Sequence, residues 1–187
     1  SVARDDLADE GAGHFVDVIQ AVRSVNPGCS VEVLVPDFHG RSELVEQVVC
    51  EGRPEVFAHN VETIERSSRL VRPQAQYRRS LDVLRQAARL GEGIRIKSSL
   101  MVGLGETERE MVDSFRDLRE AHVTHLTIGQ YLRPDATSLP VIEYVSPSRF
   151  QAYAQLARDA GFSWVTAGPF VRSSYHAVDA LYEVAVG

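Results

Sequence analysis

Apolar residues recur along the chain with two alternating spacings, one typical of helices and one typical of short buried strands. The first helical stripe runs from Phe15 to Val25 and ends at Asn26-Pro27-Gly28. The run Val31–Val35 then predicts a strand that Pro36 closes. Because the two spacings alternate from end to end, the pattern predicts an α/β protein with a largely parallel sheet.

Four further strand-like runs follow, each separated from the last by a helical stripe: Val56–His59, Ile94–Val102, His125–Gln130 and Phe162–Ala167. Helix starts are indicated by Ser42, by a Thr107–Glu110 capping box and by Ser146 before a proline. Five β units suit a TIM-type (β/α) barrel, but a whole barrel takes about 250 residues. We therefore expect an incomplete (β/α) barrel over residues 1–167 and a tail over 168–187.

Composition narrows the class of protein. The chain has 187 residues, a net charge of −6 and two cysteines, Cys29 and Cys50. An acidic chain argues against nucleic-acid binding, and no apolar run is long enough for a membrane span, so neither partner is expected. Two distant cysteines build no disulfide framework, which favours a cytoplasmic location. The missing initiator methionine suggests that the chain begins inside a larger gene.

The basic residues are almost all arginine, and Lys97 is the only lysine among 20 basic residues. Two interpretations of the basic stretch stay open, a solvated helix face and a docking patch for an acidic partner. Its members lie between positions 66 and 97: Arg66, Arg69, Arg72, Arg78, Arg79, Arg85, Arg89, Arg95 and Lys97.

Polar residues follow every predicted strand, at the end where (β/α) barrels carry their working residues. Lys97 alternates with Ser99 and Met101, so one strand parity places a lysine inside the barrel and the other places it on the surface. Gly103-x-Gly105 either cradles an anion or makes a plain strand-to-helix turn. His59 is either part of a small polar site or bound to a backbone carbonyl.

Several strings resemble those of the lipoyl synthases, a family of the radical S-adenosylmethionine superfamily. The resemblance covers the chain nearly from end to end and in family order. The strings are Ser1-Val2-Ala3-Arg4-Asp5-Asp6-Leu7, Val31–Phe38, Ala58-His59-Asn60-Val61-Glu62-Thr63, Val71-Arg72-Pro73, Tyr77–Leu81, Lys97–Thr107, Thr127–Pro134 and Gly168-Pro169-Phe170-Val171-Arg172-Ser173-Ser174-Tyr175-His176-Ala177.

The resemblance implies a sulfurtransferase that inserts two sulfur atoms into the octanoyl chain of an octanoyl-lysyl lipoyl carrier domain. The implied cofactors are S-adenosyl-L-methionine and two iron–sulfur clusters of the 4Fe-4S type, one for radical generation and one consumed as the sulfur source. The implied partners are the carrier protein of glycine cleavage, the acyltransferase subunits of 2-oxoacid dehydrogenases, and an electron donor such as ferredoxin or flavodoxin.

The resemblance also implies site residues. The first serine of the Arg-Ser-Ser-Tyr motif, a ligand of the sacrificial cluster in this family, is Ser173. Substrate contacts fall on Arg72 and Arg133. Residues implied in cofactor binding are Asn60, Glu62, Lys97, Gly103, Gly105 and Glu106.

The chain departs from the family most clearly in its cysteines. Lipoyl synthases bind their clusters through two groups of three cysteines, and this sequence has only Cys29 and Cys50. The expectation is a C-terminal portion of a lipoyl synthase that is inactive alone. Two alternatives stay open: a cluster-free barrel module that binds lipoyl carrier domains without catalysis, and a phosphate-binding barrel enzyme that uses Gly103 and Gly105.

Overall fold

The computed structural model describes residue 4, residues 6–74 and residues 76–182. Parts of the predicted N-terminal string (1–3 and 5) and of the tail (183–187) lie outside the described residues. The helices are α1 (Ala12–Val25), α2 (Ser42–Glu46, continued by a π-helical turn Gln47–Gly52), α3 (Glu65–Val71), α4 (Tyr77–Leu90), α5 (Glu108–Glu120), α6 (Pro147–Asp159) and α7 (Ala177–Tyr182). The strands are β1 (Glu32–Leu34), β2 (Val56–Ala58), β3 (Arg95–Val102), β4 (His125–Gln130) and β5 (Trp164–Gly168).

The five strands form one sheet in the order β1-β2-β3-β4-β5, and every neighbouring pair is parallel. Helices connect successive strands, as parallel pairing requires. The sheet does not close on itself, because β1 and β5 each have one paired neighbour. The predicted incomplete (β/α) barrel is therefore confirmed for the described residues.

One face of the sheet carries the hydrophobic core. Ile96 and Leu100 of β3 and Ile128 of β4 point to this face and pack with Leu84 and Phe115 from the helices.

A helix that spans a bilayer needs about 20 apolar residues, and none of the described helices is long and apolar enough to cross a membrane.

Two of the three predicted helix starts are confirmed. Thr107 and Glu110 form a reciprocal capping box at α5, and the Ser146 hydroxyl accepts a hydrogen bond from the Arg149 amide at α6. The predicted cap at Ser42 is wrong. Arg41 has extended backbone, so Ser42 already belongs to the helix and its hydroxyl lies one position too late to cap it.

Candidate functional site

The concave face of the sheet is polar, in contrast to the helix-packed face. Side chains alternate along each strand, so residues one position out of step with the core point to the opposite side. In register across β3, β4 and β5 they form rows: Lys97, His125 and Trp164, then Ser99, Thr127 and Thr166, then Met101, Gly129 and Gly168. This face is the inside of the incomplete barrel.

Lys97 lies on this concave face, as one of the two strand parities predicted, and is 1% exposed. Its Nζ lies 2.9 Å from both carboxylate oxygens of Glu32 on β1. It also lies 5.5 Å from the ring centroid of Trp164, which stacks on His125. A buried ammonium needs such a partner. The Lys97 ammonium, which the resemblance implies in cofactor binding, is therefore already paired with Glu32.

Three buried oxygen atoms near the concave face have no hydrogen-bond partner among the described residues: Thr127 Oγ1, Thr166 Oγ1 and Asn60 Oδ1. Leaving a buried polar atom unpaired costs about 1–3 kcal/mol. Buried groups of this kind are usually satisfied by water or a bound ligand. The interior above the Lys97 row is thus suited to a polar ligand.

Asn60, Glu62 and Arg72 meet at the carboxyl end of β2. Asn60 Nδ2 donates to Glu62 Oε1 at 3.2 Å, and Arg72 Nη1 donates to the Asn60 carbonyl at 3.1 Å. Burial raises the pKa of Glu62, although the Asn60 hydrogen bond and the Arg72 charge oppose that rise. The structure therefore brings together three residues that the resemblance singled out.

Glu62 and Arg72 line a cleft of about 460 Å³ whose other walls are mainly apolar. The backbone of Glu62 is fixed by pairing with β3, since its N–H donates to Ser99 and its carbonyl accepts from Met101 at 2.7 Å. The remaining walls are Leu70, Val71, Met101, Tyr131, Leu132, Pro134, Thr137, Ser138 and Leu139. A carboxyl group and a guanidinium at the mouth of an apolar cleft suit a ligand with polar and apolar parts.

Gly103, Gly105 and Glu106 form a turn that is closed by its own carboxylate. Glu106 is buried and accepts hydrogen bonds from the amides of Gly103, at 2.6 Å, and Leu104, at 2.9 Å. These amides are the donors that an anion-binding loop would offer. Because Glu106 occupies them, the structure does not support the phosphate-binding alternative.

Gln130 is a positioning residue that the sequence did not reveal. Its side chain donates to the carbonyls of Tyr131 and Glu143 and accepts from the Val145 amide at 2.9 Å. These bonds hold the long segment between β4 and α6 against the strand ends. An amide side chain at the end of a buried strand was the only available signal in the sequence.

Arg133 lies in that segment but does not line the cleft. Its guanidinium donates to the carbonyls of Ala136 and Ser138, and its side chain is exposed. It therefore braces its own loop beside the cleft, and its predicted substrate contact stays a prediction.

The tail turns back over the strand ends directly after β5. The Val171 amide donates to the Gly168 carbonyl at 3.1 Å, and the Tyr175 amide donates to the Arg172 carbonyl at 2.9 Å. Ser173 lies inside this second turn and is half-buried. The structure thus places the predicted iron ligand near the carboxyl ends of β4 and β5.

His59 is a structural residue rather than part of a polar site. Its ring nitrogens lie 2.9 Å from the Val35 carbonyl and 2.9 Å from Ser80 Oγ, and it is 1% exposed. Burial lowers the pKa of His59 to about 4. The neutral ring joins β1 to α4, which confirms the carbonyl-bound alternative.

The arginine-rich stretch is largely paired within the chain. Arg66 binds Glu110, Arg78 binds Glu65, and Arg79 binds Asp37. Arg72 and Arg95 donate to backbone carbonyls, and Lys97 binds Glu32. These contacts favour the solvated helix face over a free basic docking patch.

No thiolate cluster site forms among the residues that the structure describes. Cys29 is half-buried, Cys50 is exposed, and neither forms a disulfide. No group of three or more cysteine, histidine or carboxylate side chains there is arranged to hold a metal. The described residues thus offer a polar organic ligand several partners but supply no set of thiolates for an iron–sulfur cluster, so Ser173 alone could contribute only one of the bonds that such a cluster needs.

A five-stranded parallel sheet with connecting helices, a polar inner face and polar loops at the carboxyl ends of its strands defines a partial (β/α) barrel of the kind found in radical S-adenosylmethionine enzymes. No protein-family profile matches the chain. Curated relatives match it closely. It is 53% identical over 177 residues to the lipoyl synthase of Chlorobaculum parvum, covering 95% of this chain and 60% of that protein.

The lipoyl synthase of Rubrobacter xylanophilus is 52% identical over 95% of this chain and 55% of its own length. That of Methanocella arvoryzae is 51% identical over 95% of this chain and 60% of its own length. The chain belongs to the lipoyl synthase family. It spans between 55% and 60% of the length of these three relatives.

Proposed function

We propose that this chain is the part of a lipoyl synthase that forms the barrel wall, the acyl-side cleft and the C-terminal serine ligand. The proposed reaction is the insertion of two sulfur atoms into an octanoyl chain attached to a lipoyl carrier domain. The observation that carries the proposal is about 50% identity to lipoyl synthases over 95% of the chain. The polar concave face supports it, because the family's cofactor needs such a surface.

S-adenosylmethionine, when bound, supplies the radical chemistry of this superfamily. Its polar groups fit the unpaired oxygens of Thr127, Thr166 and Asn60. Glu62 offers a carboxyl group held in place by Asn60 and by β3. Gly103, Gly105 and Glu106 support this site indirectly, since the closed turn fixes the end of β3.

The apolar cleft between Val71 and Leu139 is the proposed place for the acyl chain. Arg72 at its edge can donate to a carbonyl of the substrate while its other nitrogen holds Asn60. An acyl chain that fills the cleft would displace water from its apolar walls, and a reactive intermediate is protected from side reactions where water is excluded.

Ser173 is the proposed iron ligand of this chain. A hydroxyl is a harder ligand than thiolate, so Ser173 would hold one iron of a bound cluster less firmly than a cysteine would. The six cysteines of the family pattern are absent from this sequence, so the chain alone is proposed to be inactive. The lipoyl carrier domains, the electron donor and the cytoplasmic location also stay proposals.

The alternative of a cluster-free module that binds carrier domains has less support. It depends on an arginine-rich docking face, and most of those arginines are paired within the chain. The unpaired oxygens of the concave face have no role in that alternative.

A chimera tests the proposed function. This chain replaces the matching 177 residues of the Chlorobaculum parvum lipoyl synthase, and the chimera is reconstituted with iron and sulfide. Incubation with an octanoylated carrier domain, S-adenosylmethionine and a chemical reductant should replace two carbon-bound hydrogens with two sulfur atoms. After mild oxidation of the two thiols to the disulfide, mass spectrometry should show a gain of two sulfur atoms and a loss of two hydrogens. A folded chimera with bound iron that leaves the octanoyl mass unchanged would contradict the proposal.

Two serine variants of the chimera serve as a matched pair. Ser173→Ala should lower the bound iron and stop sulfur insertion, because the proposed ligand is lost. Ser174→Ala, one position along in the same turn, should keep both. Equal behaviour of the two variants would show that Ser173 has no special role.

A further inference from the structure

Two glycines lie side by side where the concave face meets the tail. Gly129 of β4 pairs in register with Gly168 of β5, at the carboxyl ends of both strands. A glycine within a strand weakens it, and it often marks a place where another backbone approaches closely. The pair leaves a notch in the wall of the barrel.

Val171 of the tail fills this notch. A Cβ atom built on Gly129 would lie 2.2 Å from the Val171 carbonyl oxygen and 3.4 Å from Nη1 of Arg172. Non-bonded heavy atoms normally stay about 3.5 Å apart, so no side chain fits at Gly129 with the tail in place. Val171 itself is 6% exposed.

Gly168 differs from its neighbour in this respect. A Cβ atom at Gly168 would lie 3.4 Å from a methyl group of Val171, which is ordinary contact, and its backbone is not in the left-handed region. Only Gly129 is therefore required to lack a side chain.

The notch fixes the backbone on one side of Ser173, two residues after Val171. The turn closed by the Arg172 carbonyl and the Tyr175 amide fixes the other side. Arg172 lies between the anchor and Ser173, and it donates from Nη1 to the Val171 carbonyl at 2.7 Å. The serine is thus held between two anchored points.

We propose that Gly129 is a positioning residue for Ser173: its missing side chain lets the Val171 carbonyl enter the barrel wall and so sets the place of the serine. The assignment of Ser173 as an iron ligand rests on the proposed function, whereas the docking of the tail does not. Gly129 acts through backbone packing and touches no reacting atom.

Hydrogen exchange on the full 187-residue chain tests the docking. In Gly129→Ala, amides of residues 170–176 should exchange on the order of tenfold faster, because the tail must leave the notch. Amides of α5 should exchange at their original rate. Trypsin should also cut faster after Arg172, while its cut after the exposed Arg109 in α5 stays unchanged.

Gly168→Ala is the matched control and should leave exchange of the tail unaltered. Equal acceleration in both variants, or protection of the tail in Gly129→Ala, would overturn the proposal. If Gly129→Ala does not fold, a second change, Val171→Gly, should restore folding, because it removes the buried side chain that anchors the tail and so lets the residue 171 carbonyl move out of the notch. A double variant that also fails to fold would show that Gly129 matters to the strand and not to the tail.

The chimera separates this proposal from the proposed function. Gly129→Ala in the chimera should lower bound iron as Ser173→Ala does, while Gly168→Ala should not. If the tail is displaced in Gly129→Ala but Ser173→Ala still binds the full amount of iron, the role of Gly129 in docking the tail stands, and Ser173 is not an iron ligand. If the tail stays protected in Gly129→Ala, Gly129 is not needed for docking of the tail, whatever the iron content of the chimera.

Discussion

The ion pair between Lys97 and Glu32 spans the concave face from β3 to β1. The ammonium is 1% exposed, and the side chain of Glu32 is 18% exposed. Changing Glu32 to Gln keeps the shape of the side chain but leaves the ammonium without its counter-charge. Breaking a buried pair by removing one partner typically costs 3–5 kcal/mol.

The expected costs differ among the variants because the two partners differ in burial. Glu32→Gln should lower the free energy of unfolding by about 3 kcal/mol, the low end of that range, since water reaches Glu32. Lys97→Met should cost less, about 1–2 kcal/mol, because the remaining carboxylate can turn toward solvent. The double variant Glu32→Leu with Lys97→Met should come within about 1 kcal/mol of the parent.

Urea unfolding monitored by Trp164 fluorescence measures these costs, since this is the only tryptophan and its ring lies 5.5 Å from Lys97 Nζ. Asp82→Asn is a control, because Asp82 pairs with Arg85 at an exposed site and should cost at most about 0.5 kcal/mol. A cost for Glu32→Gln no larger than that of Asp82→Asn would show that the ion pair between Lys97 and Glu32 does not stabilise the fold as proposed. The same conclusion would follow if the double variant lost as much free energy of unfolding as the single variants at Glu32 and Lys97 lose together.

Three further outcomes are expected. In the folded chain His59 is neutral, because its pKa is lowered from 6.5 to about 4. Below pH 6.5 the unfolded chain therefore binds one proton more at this residue than the folded chain does. The free energy of unfolding should thus fall by about 3 kcal/mol between pH 7 and 4. His59→Gln should flatten that part of the pH profile of urea midpoints, whereas His122→Gln on the surface should not. Gly103→Ala should lower the free energy of unfolding by about 2–3 kcal/mol, because its backbone φ is +108 and the new Cβ would lie 2.2 Å from Gln130 Nε2. The control Gly93→Ala also has a positive φ, +78, but its Cβ would meet no neighbour within 4 Å, so it should cost about 1 kcal/mol in the same assay. Thr107→Ala should lower the thermal unfolding free energy by about 1 kcal/mol through loss of the capping box at α5.

Hydrophobic spacing predicted the order and kind of most elements correctly. It located β4 to the residue, because His125–Gln130 is a continuous buried run with clear ends. It missed α3, Glu65–Val71, whose buried positions are the serines Ser67 and Ser68 rather than apolar residues. A helix whose buried positions are small polar residues has no periodic apolar residues, so hydrophobic spacing cannot predict it.

The site was predicted in part. Motif resemblance identified Asn60, Glu62 and Arg72, which the fold brings together. It did not reveal that Glu32 would neutralise Lys97, since the two residues are 65 positions apart in sequence. Contacts that depend on the curvature of the sheet are not encoded in local spacing.

Gly129 illustrates the same limit. In the sequence it is one glycine at the end of a strand, and its neighbour in space, Val171, lies beyond a whole helix and strand. Only the fold brings the Val171 carbonyl to 2.2 Å from the Cβ position.

Growth of a bacterial strain that lacks its own lipoyl synthase tests whether this chain is part of an active lipoyl synthase. The strain carries the chimera of this chain with the Chlorobaculum parvum lipoyl synthase and receives no lipoate. We expect growth with lipoylated carrier domains in the cells, and loss of growth with Ser173→Ala. Growth that still requires added lipoate, although the chimera is folded and abundant, would contradict it.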